Sequence, residues 1–464
     1  MTTHKRARVN LLFVLLTLAV ILGLLATSPV KAKAPAPRNV IVMISDGMSF
    51  NQNLVASYYR EGKADTQVYT NFPIKYAMST YAGAEYMGAP PGDPCFGWGY
   101  DPARAWNEFD YVTRCYTDSA SAATAMATGV KTYNAAIGVD LYGNPVKNVL
   151  EAAEEKGKST GVITSVPISH ATPASFVAHN ISRNDYGGIA REMINLSAAD
   201  VIMGAGHPWY DDSSILRAAP NYRYVSDATT WDALVAGTAG NDADGDGDFD
   251  PWTLLQSRSE FQALMQGPTP GRVFGLAQVY STLQQSRSGD VYVDPYVVPF
   301  TQSVPTLVEM TKAALNILDD DPDGLFLMIE GGAVDWAAHA NQSGRTIEEQ
   351  IDFDQAVEAV MEWVHTNSNW GETLLIVTGD HETGYLLGPG SNPTWEPIVN
   401  NGQGVLPGMQ WNSPNHTNSL LPFFAKSDDA RWFRGYATLT DPVRGKYLDN
   451  TSIAQVIFNV LEGK

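Results

Sequence analysis

The sequence predicts an α/β fold: a three-layer sandwich with a central, mostly parallel sheet flanked by helices, carrying one irregular insertion. Three observations predict it. Short apolar runs of strand length alternate with amphipathic helical stretches, the pattern of a parallel sheet. Three of these runs end in or at a carboxylate, as buried strands do when they deliver an acid to a sheet edge. The chain, 464 residues long and 44% hydrophobic with 11 Trp and 21 Tyr, can also bury a core of the necessary size.

Taken in order, the chain begins with Lys5, Arg6 and Arg8 ahead of an apolar stretch, Leu11 to Leu25. The small-residue segment Ala32-Lys33-Ala34 follows, so residues 1–34 read as a signal peptide, or else as an uncleaved N-terminal anchor, the only membrane attachment expected. Export places the protein in the periplasm or outside the cell. Residues 35–464 then form the catalytic domain. Residues 39–46, NVIVMISD, are the first strand and end in Asp46. The only cysteines, Cys95 and Cys115, lie in the exported part. An oxidising compartment permits a bridge between them, with a typical gain of ~3 kcal/mol for a loop of about 20 residues, while two free thiols fit the sequence equally.

Ser119 opens TDSASAATAMATGVKT, a run of small residues. Small residues at a helix start allow close approach of a ligand, and a helix N-terminus favours an anion. PVKNVLEAAEEKG and TLVEMTKAALNIL are the helical stretches, and STGVITSVPISHATP and ADVIMGAGHP are further strands breaking into polar turns. Residues 205–300 are richer in Ser, Gly, Asp and Pro and read as an insertion or cap. Inside it, Asp242, Asp244 and Asp246 fit the first half of a calcium loop, but Thr253 stands where the twelfth-position glutamate belongs. Calcium binding and a solvated acidic loop both stay open. LFLMIEGGAVDWAAHAN places Glu330, Asp335 and His339 directly after a strand, and LLIVTGDH ends in Asp380-His381.

Lys and Arg total 30 against 50 Asp and Glu, a net charge of −20, which argues against a nucleic-acid partner. An anionic substrate would need local positive charge, from metal or from arginine. Ligands of parallel sheets bind beyond the carboxyl ends of the strands, where Asp46, Glu330 and Asp380 fall. Asp335 and His339, spaced i and i+4, share one helix face and suit a divalent ion. A serine hydroxyl needs a base or a metal to take its proton; no G-x-S-x-G elbow surrounds Ser119, so metal activation fits better, although Asp118 with Ser119 also reads as an ordinary helix cap.

Four motifs, TDSASAATAMATGVKT, IEGGAVDWAAH, VTGDHETG and NHTNS, together resemble the alkaline phosphatases in order and spacing. The resemblance implies hydrolysis of phosphate monoesters to an alcohol and inorganic phosphate at alkaline pH, through a phosphoserine on Ser119. It implies two zinc ions and one magnesium. Asp335, His339 and His416 match the ligands of the first zinc, and Asp46, Asp380 and His381 those of the second. Glu330 and Thr172, with Asp46 bridging, match the magnesium ligands. Arg183 matches the arginine that grips phosphate and Asp118 the carboxylate that orients it; the family precedent is a homodimer. Two positions depart from the best-known enterobacterial pattern: His170 stands for an Asp and Trp336 for a Lys. His170 leaves open which ion fills the third site, and the lost Lys is expected to weaken product binding. Sulfatases are disfavoured because the C/S-x-P-x-R motif is missing, and diesterases because Glu330 and Thr172 are present. A secreted, calcium-dependent binding protein is the non-enzymatic alternative. His4, His179, His207 and His365 have no place in the scheme.

Overall fold

The computed structural model describes residues 36–428 and 432–464. The signal-peptide or anchor reading of residues 1–34 lies outside the described residues. The strands of the first half are β1 (Asn39–Ser45), β2 (Ile74–Ser79), β3 (Ser159–Pro167), β4 (Val201–Ala205), the short β5 (Gly240–Asn241) and β6 (Asp250–Pro251), β7 (Thr253–Leu255) and β8 (Val273–Leu276). Those of the second half are β9 (Leu325–Gly331), β10 (Thr373–Gly379), β11 (Glu382–Thr383), β12 (Leu386–Leu387), β13 (Gln410–Trp411), β14 (His416–Thr417), β15 (Leu421–Lys426), β16 (Leu439–Asp441) and β17 (Gly445–Asp449).

Eleven strands form one sheet in the order β16-β17-β2-β15-β10-β1-β9-β3-β4-β8-β7. From β10 through β7 every neighbouring pair is parallel. The antiparallel β15 reverses direction between β10 and β2, which makes the sheet mixed. Two of its strands, β7 and β8, come from the 205–300 stretch and form one edge, so this part of the chain extends the sheet, while the rest is mostly turns and short helices.

The central strands are apolar on both faces because both are covered. Along β1, Val40, Val42 and Ile44 face one core, and Ile41 and Met43 face the other. The first core is closed by the helices Ser119–Thr128, Tyr186–Asn195 and Thr451–Leu461. The second is closed by Leu307–Leu318 and Ser343–Asn367. This is the expected three-layer sandwich.

Register sets the position of the site. Ser45 lies opposite Gly379 of β10 and Gly331 of β9, so the three adjacent strands end at one level. Asp46 and Asp380 are the next residues, and Glu330 is the penultimate residue of β9. Gly47 makes the first turn with φ +79°, and a Cβ there would lie 2.8 Å from the Asp335 Cα. Only glycine fits at this crossing. Cys95 and Cys115 form a disulfide. No helix among the described residues is long and apolar enough to cross a membrane.

Candidate active site

The ends of β10, β1 and β9 hold Asp380, Asp46 and Glu330, all fully buried. β9 runs directly into the helix Ala333–His339, which carries Asp335 and His339 on one face, their nearest N and O atoms 3.4 Å apart. Just past β10, β11 pairs with β14, bringing Thr383 opposite His416. Two donor clusters result. In one, Asp335, His339 and His416 converge: the two Nε2 atoms are 2.9 Å apart and each lies 3.4 Å from Asp335 Oδ1. In the other, His381 Nε2 lies 3.4 Å from Asp46 Oδ1 and 3.3 Å from Asp380 Oδ2. The His381 and His416 rings stack at 3.5 Å, joining the clusters.

Backbone and hydroxyl groups orient these ligands. The Thr117 carbonyl accepts from His416 Nδ1 at 2.9 Å, and the Pro414 carbonyl from His339 Nδ1 at 2.5 Å, leaving both Nε2 lone pairs facing inward. The Thr383 hydroxyl donates to Asp335 at 2.5 Å and lies 3.2 Å from His381 Nδ1. Asp380 Oδ1 accepts from the Gly47 N–H at 3.1 Å.

Among the described residues, several buried polar atoms here make no hydrogen bond: both carboxylate oxygens of Asp46, Oδ2 of Asp380, Oε1 of Glu330, Oγ1 of Thr172 and Nδ1 of His170. Buried polar atoms without partners are costly, and five of these six are acceptor oxygens crowded together. Such a donor set suits divalent cations: imidazole and carboxylate for zinc, carboxylate and hydroxyl oxygen for magnesium. The residues present therefore fit the metals the sequence implies.

The electrostatics reflect the same crowding. Burial, then the charges of Asp380 and Asp335, push the Asp46 carboxyl well above the usual carboxylate range. Burial raises Glu330 to about 8 and Asp380 to about 6. Asp335 moves the other way: burial opposes it, but the hydrogen bond from His416 and the charges of His339, His416 and His381 hold it low. Burial and the Arg183 charge push His170 down to about 3, with a smaller push from Arg223.

Ser119 starts the helix Ser119–Thr128, where small residues let it pack flush against the clusters. Its Oγ is buried, 3.1 Å from His381 Nε2. Asp118 caps that helix through the Ser121 N–H and also accepts from the Ala135 N–H and from Arg183 Nη1 at 2.9 Å. Arg183 is thereby held by the residue preceding Ser119, with Nη2 3.5 Å from His170 Nε2. Trp336 is half-buried with its ring 5.5 Å from that of His170.

The structure thus brings Ser119, Asp118, Arg183, His170, Asp46, Glu330, Asp335, His339, Asp380, His381 and His416 to one place. Thr172, in the short helix Ala171–Ser175 that follows β3, belongs to the same buried region. Asp242, Asp244 and Asp246 form a separate exposed cluster, with side-chain oxygens within 4.8 Å of one another. His179 and His207 sit in hydrogen bonds to Glu192 and Gln256.

Four supporting residues were not read from the sequence: Thr117, Thr383, Glu382 and Asn134. Glu382 follows the Asp380-His381 pair, so its position was the available signal. Asn134 accepts from the Asp118 N–H and the Ser121 hydroxyl, at 3.0 Å each; nothing local marks it.

The family model described as Alkaline phosphatase matches residues 37–407. Alkaline phosphatase 3 of Bacillus subtilis (strain 168) is 32% identical over 376 residues, covering 78% of this chain. The match spans 65% of that relative's own length, just under two thirds. Alkaline phosphatase of Escherichia coli (strain K12) is 28% identical over 442 residues, covering 87% of this chain and 84% of that one. The solved alkaline phosphatase from the Antarctic bacterium TAB5 superposes with a TM-score of 0.61 at 25% identity, covering 93% of this chain and 100% of that one. A His-to-Asp variant of the TAB5 enzyme has Mg bound in its M3 site. A sandwich with its acids at three adjacent strand ends, a buried serine against them and matches of this extent lead to one conclusion: the chain belongs to the alkaline phosphatase family.

Proposed function

We propose that the protein hydrolyses phosphate monoesters to an alcohol and inorganic phosphate at alkaline pH, by two displacements through a phosphoserine on Ser119. The observation that carries this reading is the buried Ser119 hydroxyl set against two donor clusters, with a guanidinium held by the residue preceding it. Asp335, His339 and His416 would hold one zinc, Asp46, Asp380 and His381 a second, and Glu330, Thr172 and Asp46 a magnesium. The Mg in the M3 site of the TAB5 variant supports a third cation here, with His170 alongside. When bound, the zinc ions would acidify the attacking hydroxyl and the hydrolytic water and would neutralise charge on the entering and leaving oxygens.

The chain's own residues do the rest. Arg183 grips two phosphoryl oxygens with a planar fork that Asp118 holds in orientation. Ser119 Oγ forms a bond to phosphorus as the ester P–O bond breaks, and the departing oxygen takes up a proton. Water then attacks the same phosphorus, the Ser119 P–O bond breaks, and the serine recovers its proton. Two inversions give net retention of configuration. The helix N-terminus at Ser119 offers its free N–H groups to the anion.

The same reading includes residues 1–34 as an export signal, 35–464 as the catalytic unit with 205–300 partly covering it, a periplasmic or extracellular site of action, and a homodimer. Calcium at Asp242, Asp244 and Asp246 enters no step.

Turnover of p-nitrophenyl phosphate from about pH 6 to about pH 11 tests the proposal in wild type and Ser119→Ala, before and after EDTA. Alkaline activity that is lost with EDTA, returns with zinc and magnesium, and falls at least about a thousandfold in the mutant is expected. Cleavage of bis-p-nitrophenyl phosphate without monoesterase activity would replace the reading with a phosphodiesterase.

A further inference from the structure

The segment before Tyr224 is tied to the residue preceding His170, yet it presents a cation that makes no hydrogen bond or ion pair among the described residues. Asn221 donates its N–H to the Pro208 carbonyl at 2.8 Å, and its side chain donates to the Tyr280 hydroxyl. The Ser169 hydroxyl donates to the Tyr224 carbonyl at 3.1 Å, tying the segment to the residue preceding His170. Tyr224 is buried, edge-on to Tyr186 at 5.2 Å and against Tyr280 at 5.1 Å. On this aromatic platform lies the exposed Arg223, its guanidinium carbon 4.5 Å from the Tyr186 ring centroid and 5.5 Å from that of Tyr224. Among the described residues this guanidinium makes no hydrogen bond and no ion pair.

Tyr186 stacks in turn on His170 at 6.2 Å, and His170 Nε2 is 3.5 Å from Arg183. Arg223 is therefore one ring further out than the residues that flank the phosphate-gripping arginine. The protein carries a net charge of −20, so a cation near Tyr186 and His170 counters a field that repels anions. A guanidinium stacked on an aromatic face keeps all five donors available, in a geometry suited to a carboxylate or phosphate.

We propose that Arg223 is a specificity-determining residue that receives a second anionic group carried by the alcohol portion of the ester. The favoured substrates are then phosphate monoesters of acidic alcohols. This rests on the hydrolytic reading above.

The test compares kcat/KM for ω-carboxypropyl phosphate and butyl phosphate, which differ by a terminal carboxylate, using the metal-loaded full chain. In Arg223→Ala the ratio of the two values falls about fivefold, the size of one partly screened ion pair, and Arg223→Lys restores part of it. Raising salt from about 0.05 M to about 0.5 M lowers the wild-type ratio and leaves that of Arg223→Ala flat. An unchanged ratio in Arg223→Ala, even with both values lowered together, overturns the assignment. Wild type inactive on both esters overturns the hydrolytic reading itself.

Discussion

Asp118 satisfies three groups with one carboxylate: the Ser121 and Ala135 N–H groups and the Arg183 guanidinium. Burial alone would raise its pKa, but the Arg183 charge and the hydrogen bonds prevail and hold it below the usual range. The position thus couples a helix cap to the guanidinium proposed to grip phosphate, and two substitutions separate the roles. Asp118→Asn keeps a capping oxygen but loses the ion pair. The inhibition constant for inorganic phosphate should rise about tenfold, with a drop in melting temperature smaller than that of Asp118→Ala, since the cap is kept and only the Ala135 N–H loses its acceptor. Asp118→Ala should raise it similarly and also cost ~1 kcal/mol of stability for the lost cap, measured by urea unfolding. An unchanged inhibition constant in both would mean Arg183 is held without Asp118.

Among the elements, the two-residue ladder of β11 and β14 decides whether both donor clusters exist at once. It carries Thr383 opposite His416 and Glu382 opposite Thr417, and Glu382 closes it from behind. The Glu382 carboxylate accepts from the Thr417 hydroxyl at 2.5 Å, from Gln52 at 3.2 Å and from the Leu386 N–H at 3.0 Å. Glu382→Ala leaves the buried Leu386 N–H without its acceptor, while Thr417 keeps Ser419 and Gln52 keeps the Thr383 carbonyl, at a cost of about 1–3 kcal/mol. It should also speed loss of bound metal to EDTA, followed with a chromogenic chelator; release at the wild-type rate would show that the ladder holds without it. This ladder was not legible in the sequence, because a two-residue strand leaves no periodicity to read. The central strands were legible for the opposite reason: β1, β9 and β10 are buried on both faces and so are written as unbroken apolar runs ending in acids. Metal-type ligands announce themselves by residue type and spacing, as Asp335 and His339 do. The groups that orient them, such as the Thr117 carbonyl, act through the backbone and leave no mark on composition. The assignment of β7 and β8 to the sheet edge escaped for a related reason, since strands of three and four residues among turns look like loop.

For the whole molecule, the concentration of acids at the carboxyl ends of the central strands ties stability to metal and pH together. With cations removed, Glu330 and Asp380 titrate at about 8 and about 6 in the folded protein, against ordinary values of 4.5 and 3.8. The metal-free fold then binds more protons than the unfolded chain across this window, so its stability is greatest below about pH 4 for these groups and falls as pH rises toward about 8. The melting temperature of EDTA-treated protein should drop by several degrees between about pH 5 and about pH 8, and metal should abolish the drop; parallel curves would contradict it. The strand order carries a further consequence. The three strands that bear the acids are flanked on each side by others, while short strands such as β7 and β16 form the rims. Backbone amides of β1, β9 and β10 should be the last to exchange with deuterium, and those of the rims the first. Warming would then fray the protein from its borders inward, and catalysis would persist after part of the spectroscopic signal of the sheet had already gone.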